Sequence, residues 1–481
     1  MLKLTFINKW VALVYRIVLI VLFTSPFQHA QATTSFARQT GEPCTACHMQ
    51  AYGPWLTQYG QKFKLDGYVA GHANKLPDVI NPLAVEVVGS VTNTQKKNGG
   101  DPYYANSTGH SNPNNNVVTD WAAVYYTGRI TDKIGSYLQM NISPQTGQSV
   151  SLAMADIRVA DHATIQGNEI TYGLTVNNSP TMSDFWMTTP AWMYPYTQSS
   201  MTIHPAAQPW LQALMEGANT AGSTAYMMIN NHLYLEAGGY TSQSKEMANG
   251  LGVWKNGSQC TEPQCGLIDG GAPYWRMFLQ HSVGAHTMMI GTYGMAANVI
   301  PYYNMGMGSN YYVEYNADAN YSYMMDDSNM LMAMVKYTHD SMNMGASQVQ
   351  EFSSNNSNYL DSVMMMGMWT YKQTYNLTVG WNYMKGSSDM HLYNGAGDGF
   401  NGVQAISGSA NGSPNTNSFL FEADYVPFGK GSFAADPYLN VRLSLQYWAY
   451  TQFNGATTNY DGAGRNASDN NTLYFVGNMM F

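Results

Sequence analysis

Cys44-Thr45-Ala46-Cys47-His48 sets two thiols three positions apart and follows them directly with an imidazole. This C-x-x-C-H spacing is the pattern of c-type haem attachment, in which the thiols reach the two vinyl groups of one haem and the histidine is carried under the iron. His48 is then the proximal axial ligand of a single haem c. Two other chemistries use the same residue types: a redox-active C-x-x-C pair and half of a zinc site. Zinc needs two more Cys or His ligands at suitable spacing, and only His72 is near. A thioredoxin-like pair needs a βαβ setting that the flanking sequence lacks. The sixth ligand is open. Met49 follows His48 too closely to reach the opposite haem face, whereas His72 sits in a Gly-rich segment that could. Any of the many methionines further on could also serve, although methionine is more often packing filler.

The elements that must hold this motif are small. Pro54 to Lys64, bounded by Gly53 and Gly67, has the start and stop residues of a helix. Trp55, Tyr59 and Phe63 fall at i, i+4 and i+8, an aromatic stripe suited to cover one side of a haem. Upstream, Lys3, Lys9 and Arg16 precede the apolar run Ile17 to Phe23, and Ala30-Gln31-Ala32 follows. This reads as a secretory signal peptide over residues 1–32, and secretion sends the chain to the compartment where c-type cytochromes mature. Residues 33–82 are then a monohaem cytochrome domain.

The remainder, 83–481, has a different character. The 481-residue chain carries only 11 % charged residues, against roughly 25 % in an ordinary soluble protein, while Gly (45), Tyr (36) and Met (33) are abundant. Lys96-Lys97 is the one adjacent basic pair, so the clusters that neutralise nucleic-acid phosphates are missing. After the signal peptide no apolar run is long enough for a membrane-spanning helix. Instead, short segments alternate apolar and polar residues between Gly, Asn, Ser and Asp clusters. Leu473, Phe475, Gly477 and Met479 alternate with Tyr474, Val476, Asn478 and Met480. Tyr375, Leu377 and Val379 alternate with Asn376, Thr378 and Gly380. Such segments fit any half-buried sheet. Their number, the aromatic residues near their ends and the final Phe481 favour a transmembrane barrel.

Sixteen strands are expected, near 84–92, 118–130, 133–142, 150–160, 168–177, 223–230, 231–241, 273–281, 285–297, 310–325, 329–339, 359–371, 374–385, 417–427, 437–451 and 471–481. With Asn230-Asn231 as a tight turn, every long loop (93–117, 178–222, 242–272, 340–358, 386–416, 452–470) falls on one side, as outer-membrane barrels require. Arg158, Glu236, Arg276, Glu422, Asp424 and Arg442 must then face the lumen, since a charge on the lipid side costs ~2–4 kcal/mol at mid-membrane. There they tune a channel or hold a plug. Cys260 and Cys265 share an outer loop in an oxidising compartment, where a disulfide is the natural reading.

Phe36-Ala37-Arg38-Gln39-Thr40-Gly41, the C-x-x-C-H motif, Pro54, Leu56-Thr57, Tyr59-Gly60, Phe63-Lys64-Leu65 and Gly67-Tyr68 together resemble the fused cytochrome-porin family, outer-membrane monohaem cytochromes of iron-oxidising bacteria. The resemblance is specific over roughly residues 36–68 and otherwise architectural. The chain has Tyr59 where that family commonly has Phe, and Gln61 where it commonly has Arg. The resemblance implies a mainly β, porin-like barrel of about sixteen strands whose lumen is plugged by a small α-helical cytochrome domain. It also implies oxidation of extracellular Fe(II), with the electron passed through haem c at Cys44, Cys47 and His48 to a periplasmic cytochrome c or copper protein. Outer-membrane lipid would be its other partner. Methionine ligation would suit this role, because it raises the haem potential relative to two histidines. Loop carboxylates such as Asp101, Asp184, Glu262, Asp269 and Asp398 offer oxygens to Fe(II). The competing expectations are a porin or metal-uptake channel with a structural or sensory haem plug, and an electron conduit for another external donor or acceptor.

Overall fold

The computed structural model describes residues 34–71, 82–97, 114–142, 150–188, 194–216, 220–253, 266–301, 306–394, 408–433, 436 and 438–481. The expected signal peptide, His72, Asp101, Cys260, Glu262, Cys265 and Asp398 lie outside these residues.

Alternation along the chain becomes a closed antiparallel barrel. Its strands are β1 (Leu83–Thr94), β2 (Asn116–Arg129), β3 (Ile134–Ile142), β4 (Ser151–Ile165), β5 (Asn168–Asn177), β6 (Thr220–Ile229), β7 (Leu233–Ser242) and β8 (Ala272–Val283). They continue with β9 (His286–Ile300), β10 (Asn310–Met324), β11 (Asn329–Asn343), β12 (Ser357–Tyr371), β13 (Tyr375–Gly386), β14 (Thr416–Tyr425), β15 (Asn440–Gln452) and β16 (Thr472–Met480). Each strand pairs with its neighbours in sequence, and β1 closes the ring by pairing with both β2 and β16. Phe481 and Val85 exchange backbone hydrogen bonds across that seam at 2.8 and 3.1 Å. A two-residue strand, Leu267–Ile268, adds to the end of β9 inside the segment read as a loop.

Every strand expected from the sequence overlaps an observed one, and the long connections share one rim. Asn230 and Asn231 both take positive φ, 49° and 56°, and His232 N donates to Ile229 O at 2.8 Å. That is the type I′ turn whose twist matches a hairpin. Leu377, Val379, Leu473, Phe475 and Met479 face outward, while Asn376, Thr378, Tyr474 and Asn478 are buried inside. An apolar outer belt with a polar interior is the surface of a porin-like barrel spanning an outer membrane. All six charges assigned to the lumen are buried there.

The interior is occupied. Helices α1 (Thr34–Thr40), α2 (Cys44–Cys47) and α3 (Gln58–Leu65) sit at the short-turn end. From the opposite rim the connection between β5 and β6 turns inward and carries helix α4 (Trp210–Glu216). Its Phe185, Trp186, Met187, Met201, Ile203 and Trp210 are all buried. The sequence reading placed 178–222 among the outer loops. The density of Trp, Phe, Tyr and Met in its described parts, 178–188 and 194–213, which water would not favour, is the reason these fold inside.

Candidate functional site

Gly41 lets the chain turn after α1, with φ of 79° and its N–H on Ala37 O at 3.0 Å. Pro43 then starts a single helical turn, in which His48 N donates to Cys44 O at 2.8 Å. One turn is what three-residue thiol spacing requires: it brings Cys44 and Cys47 to the same side. Leaving the turn, His48 is extended and bridges to Leu56, while Met49 N donates to Trp55 O at 2.9 Å and Thr57 N to Cys47 O at 2.9 Å. The chain doubles back on the motif.

This doubling back changes one expectation. The helix does not start at Pro54: Thr57 caps it, accepting from Gly60 N at 3.2 Å, and α3 begins at Gln58. Residues 54–57 are drawn out by their bonds to the motif. Trp55 is therefore off the helix and buried, Phe63 is buried, and Tyr59 is 45 % exposed, so the three do not form one stripe. Gly67, at φ 80°, ends the helix as expected.

Two turns of the barrel hold the motif. Gln373, between β12 and β13, donates from Nε2 to Thr45 O at 3.0 Å and to His48 O at 2.7 Å. Between β14 and β15, Gly429 O accepts from Thr45 N at 3.2 Å, and a Cβ on Gly429 would lie 3.0 Å from Cys44 Sγ. Asn440 Nδ2 reaches Ala51 O at 2.7 Å and Cys44 Sγ at 3.4 Å. Gly60 is equally constrained, because its Cβ would lie 2.2 Å from Cys47 O.

Burial sets the electrostatics. It pushes the Cys44 thiol well above its ordinary range and, with help from Glu42, the Cys47 thiol up to about 12. It pushes the His48 imidazole down to about 4, opposed by the Gly53 carbonyl. That carbonyl closes no hydrogen bond of normal geometry, and among the described residues Nδ1 of His48 is buried without a partner. The imidazole is therefore neutral at ordinary pH, the form that ligates iron.

Next to the motif lies sulfur. Met49 and Trp55 pack into one cluster with Met187, Met332, Met334, Met364, Met366 and Met368. Met332 faces Met368 and Met334 faces Met366 directly across β11 and β12. Gln50 Nε2 approaches Met368 Sδ at 3.1 Å. A buried C-x-x-C-H turn with a neutral imidazole and apolar, sulfur-rich surroundings fits haem c: two thiols for the vinyl carbons and one nitrogen for the iron.

The lumenal arginines hold plugs. Arg158 pairs with Asp156 at 2.9 Å and donates to Lys64 O at 3.3 Å and Met182 O at 3.0 Å, so it fastens both the N-terminal domain and the inserted loop. Arg276 pairs with Asp318 and donates to Thr188 Oγ1 at 3.0 Å. Arg442 pairs with Glu422 and donates to Thr197 Oγ1 at 3.2 Å. Asp184, one of the carboxylates offered to Fe(II), is instead buried. It accepts from Trp186 N at 3.0 Å and Thr188 N at 2.7 Å, and stands 3.9 Å from Arg276. It orders the loop. Asp269 is exposed on the long-loop rim. Sequence reasoning missed Glu314 and Asp340, buried opposite each other, which accept from Leu211 N at 3.1 Å and Trp210 N at 2.9 Å. Their alternation with outward Tyr311, Tyr315 and Tyr337 was the available signal.

No family profile matches the chain, and no curated relative does. Among solved structures it is similar to in-vitro folded OmpT of Vibrio cholerae, at 9 % identity over 83 % of this chain and 96 % of that one, with a TM-score of 0.39. Salmonella typhi OmpF in complex with daunomycin gives 10 % identity over 83 % and 97 %, with a TM-score of 0.42. The anion-selective porin of Comamonas acidovorans gives 10 % over 83 % and 98 %, at 0.40.

Proposed function

We propose that this protein is an outer-membrane c-type cytochrome that accepts electrons from extracellular Fe(II) and delivers them to a periplasmic cytochrome c or copper protein. The observation that carries the reading is the C-x-x-C-H turn, built into the short-turn end of a barrel whose interior is filled. Cys44 and Cys47 would anchor haem c and His48 would ligate its iron, with the sixth ligand drawn from the thioethers packed on the motif or from His72. Bound haem would supply a one-electron couple. The chain's own residues do the rest. Gln373, Gly429 and Asn440 fix the turn at the rim, Thr57 and Gly60 hold α3 against Cys47, and Met49, Trp55 and the facing methionines exclude water. Fe(III) precipitates near neutral pH and electrons do not cross a ~30 Å hydrocarbon core unaided, so a redox centre inside a barrel wall shortens the path.

The test is an anaerobic optical titration of oxidised, detergent-solubilised protein with Fe(II) at acid pH, followed by dithionite. Sharp α-band growth on Fe(II) is expected. Reduction by dithionite alone would move the assignment to another donor or to outward flow.

The barrel architecture favours a second reading, a porin or metal-uptake channel in which the N-terminal domain and the inserted loop form the plug. It predicts solute conductance in planar bilayers that survives Cys44→Ala with Cys47→Ala.

A further inference from the structure

On the short-turn rim, away from the C-x-x-C-H motif, His232 and His281 stand with ring centroids 5.1 Å apart and planes inclined at 44°. Two imidazoles each bound at ~2.0–2.1 Å to one tetrahedral ion have centroids about 5 Å apart. The tautomer of His232 follows from its partner. Its Nδ1 lies 3.1 Å from Gln280 O, and a carbonyl can only accept, so Nδ1 carries the proton and Nε2 the lone pair. A ring nitrogen fixed by a backbone carbonyl is the usual support of a metal-ligating histidine. Its backbone is pinned as well: the Asn230-Asn231 turn closes on His232 N, and Gln280 N donates to His232 O at 2.8 Å. Both histidines are exposed at the surface of the rim.

We infer that His232 and His281 form a binding site for a borderline divalent cation such as Zn²⁺ or Cu²⁺. Imidazole pairs suit these ions and leave harder ones such as Mg²⁺ or Ca²⁺ aside. Among the described residues no third His, Cys, Asp or Glu joins the pair, so the other positions stay open to water or to a donor from a docking partner. The placement gives the site structural reach. Gln280, next to His281, accepts from Trp186 Nε1 of the inserted loop at 3.0 Å, and Ser282, on its other side, accepts from Gln58 of α3. An ion here clamps the stretch of wall to which both plugs are tied.

The experiment uses full-length, haem-loaded protein in detergent, prepared without a polyhistidine tag. Calorimetric titration with Zn²⁺ should show one equivalent bound, and Cu²⁺ should give an electron paramagnetic resonance spectrum with two nitrogen donors. His232→Asn and His281→Asn should each weaken Zn²⁺ binding at least ~10-fold and leave one nitrogen on Cu²⁺, whereas His162→Asn should change neither. In the unaltered protein, Zn²⁺ should shield both histidines from acylation, read by mass spectrometry, which needs no variant to fold. Undiminished Zn²⁺ affinity in the double variant, a single nitrogen in the unaltered protein, or acylation indifferent to Zn²⁺ would each overturn the site.

Discussion

The two bodies that fill the lumen are held by different chemistry. The inserted loop is fixed by charge: Arg276 and Arg442 donate to its threonines, while Asp120, Glu314 and Asp340 accept from the backbone N–H groups of Ser200, Leu211 and Trp210. The N-terminal domain is held at its motif by direct contacts from neutral groups, the Gln373 and Asn440 amides and the Gly429 carbonyl, with carboxylates one step behind them: Asp436 accepts from Gly429 N at 2.7 Å and Asp424 from Gln50 Nε2 at 3.3 Å. A buried ionic lattice sets position strongly and tolerates no loss of a partner. Neutral amides position a turn without forming an ion pair with it. The loop is thus a fixture held directly by charge, and the motif is a mount whose direct contacts are neutral.

The largest expected effect falls on the mount. On the proposed function, Cys44→Ala with Cys47→Ala should remove all covalent haem, read as loss of peroxidase staining on a denaturing gel. The barrel should keep its heat-modifiable mobility, since the strand-to-strand pairing closes the ring without either thiol and Asn440 Nδ2 keeps its bond to Ala51 O when it loses Cys44 Sγ. Loss of the folded barrel along with the haem would mean that the two bodies are one cooperative unit.

Arg276→Leu tests the fixture. It strands Asp318 and Asp184 without their cation, at a cost of about 3–5 kcal/mol. Limited proteolysis in detergent should then open the inserted loop while haem content stays within the unaltered range. Equal sensitivity of loop and haem would erase the distinction drawn between them.

Gly60→Ala is a smaller and more local change. Its Cβ would meet the Cys47 carbonyl carbon and oxygen, which are backbone and cannot swing aside. Haem incorporation should fall several-fold, with loop protection unchanged. An unaltered haem content would show that α3 can slide away from the motif.

How much of this was legible beforehand follows from the range of the interactions. Alternation is local, so the sixteen strands, their facing and the lumenal Arg158, Arg276 and Arg442 could be read from spacing alone. The C-x-x-C-H motif is local too, and its thiols do lie on one turn. Trp55 escaped because bonds to Cys47 and Met49 override the helix signal at Pro54. The inward course of 178–188 and 194–216 escaped because loop length says only which rim a connection leaves from. Its aromatic and methionine content carried the missing information. Asp184 was misjudged for the same reason, since a carboxylate on a loop assumed to be outside looks solvated.

The long-loop rim extends the comparison to water. Asp389, just past β13, accepts from Ser353 Oγ, from Ser354 N at 2.8 Å, Asn355 N at 3.0 Å, Asn358 Nδ2 at 2.9 Å and Leu392 N at 3.0 Å. Burial alone would raise its carboxyl, yet these donors hold it down to about 2. A folded value below the unfolded one, ~3.9, stabilises the rim above pH ~4, a gain lost as pH falls toward 2. Asp389→Asn, uncharged throughout, should therefore weaken protection of residues 351–358 from hydrogen exchange at pH 5 by a small margin. The gap between variant and unaltered protein should close as the pH approaches 2. A constant gap would mean that Asp389 holds the rim by shape and not by charge. A rim anchored by a carboxylate that stays ionised in acid is also what an outer surface exposed to acid would need.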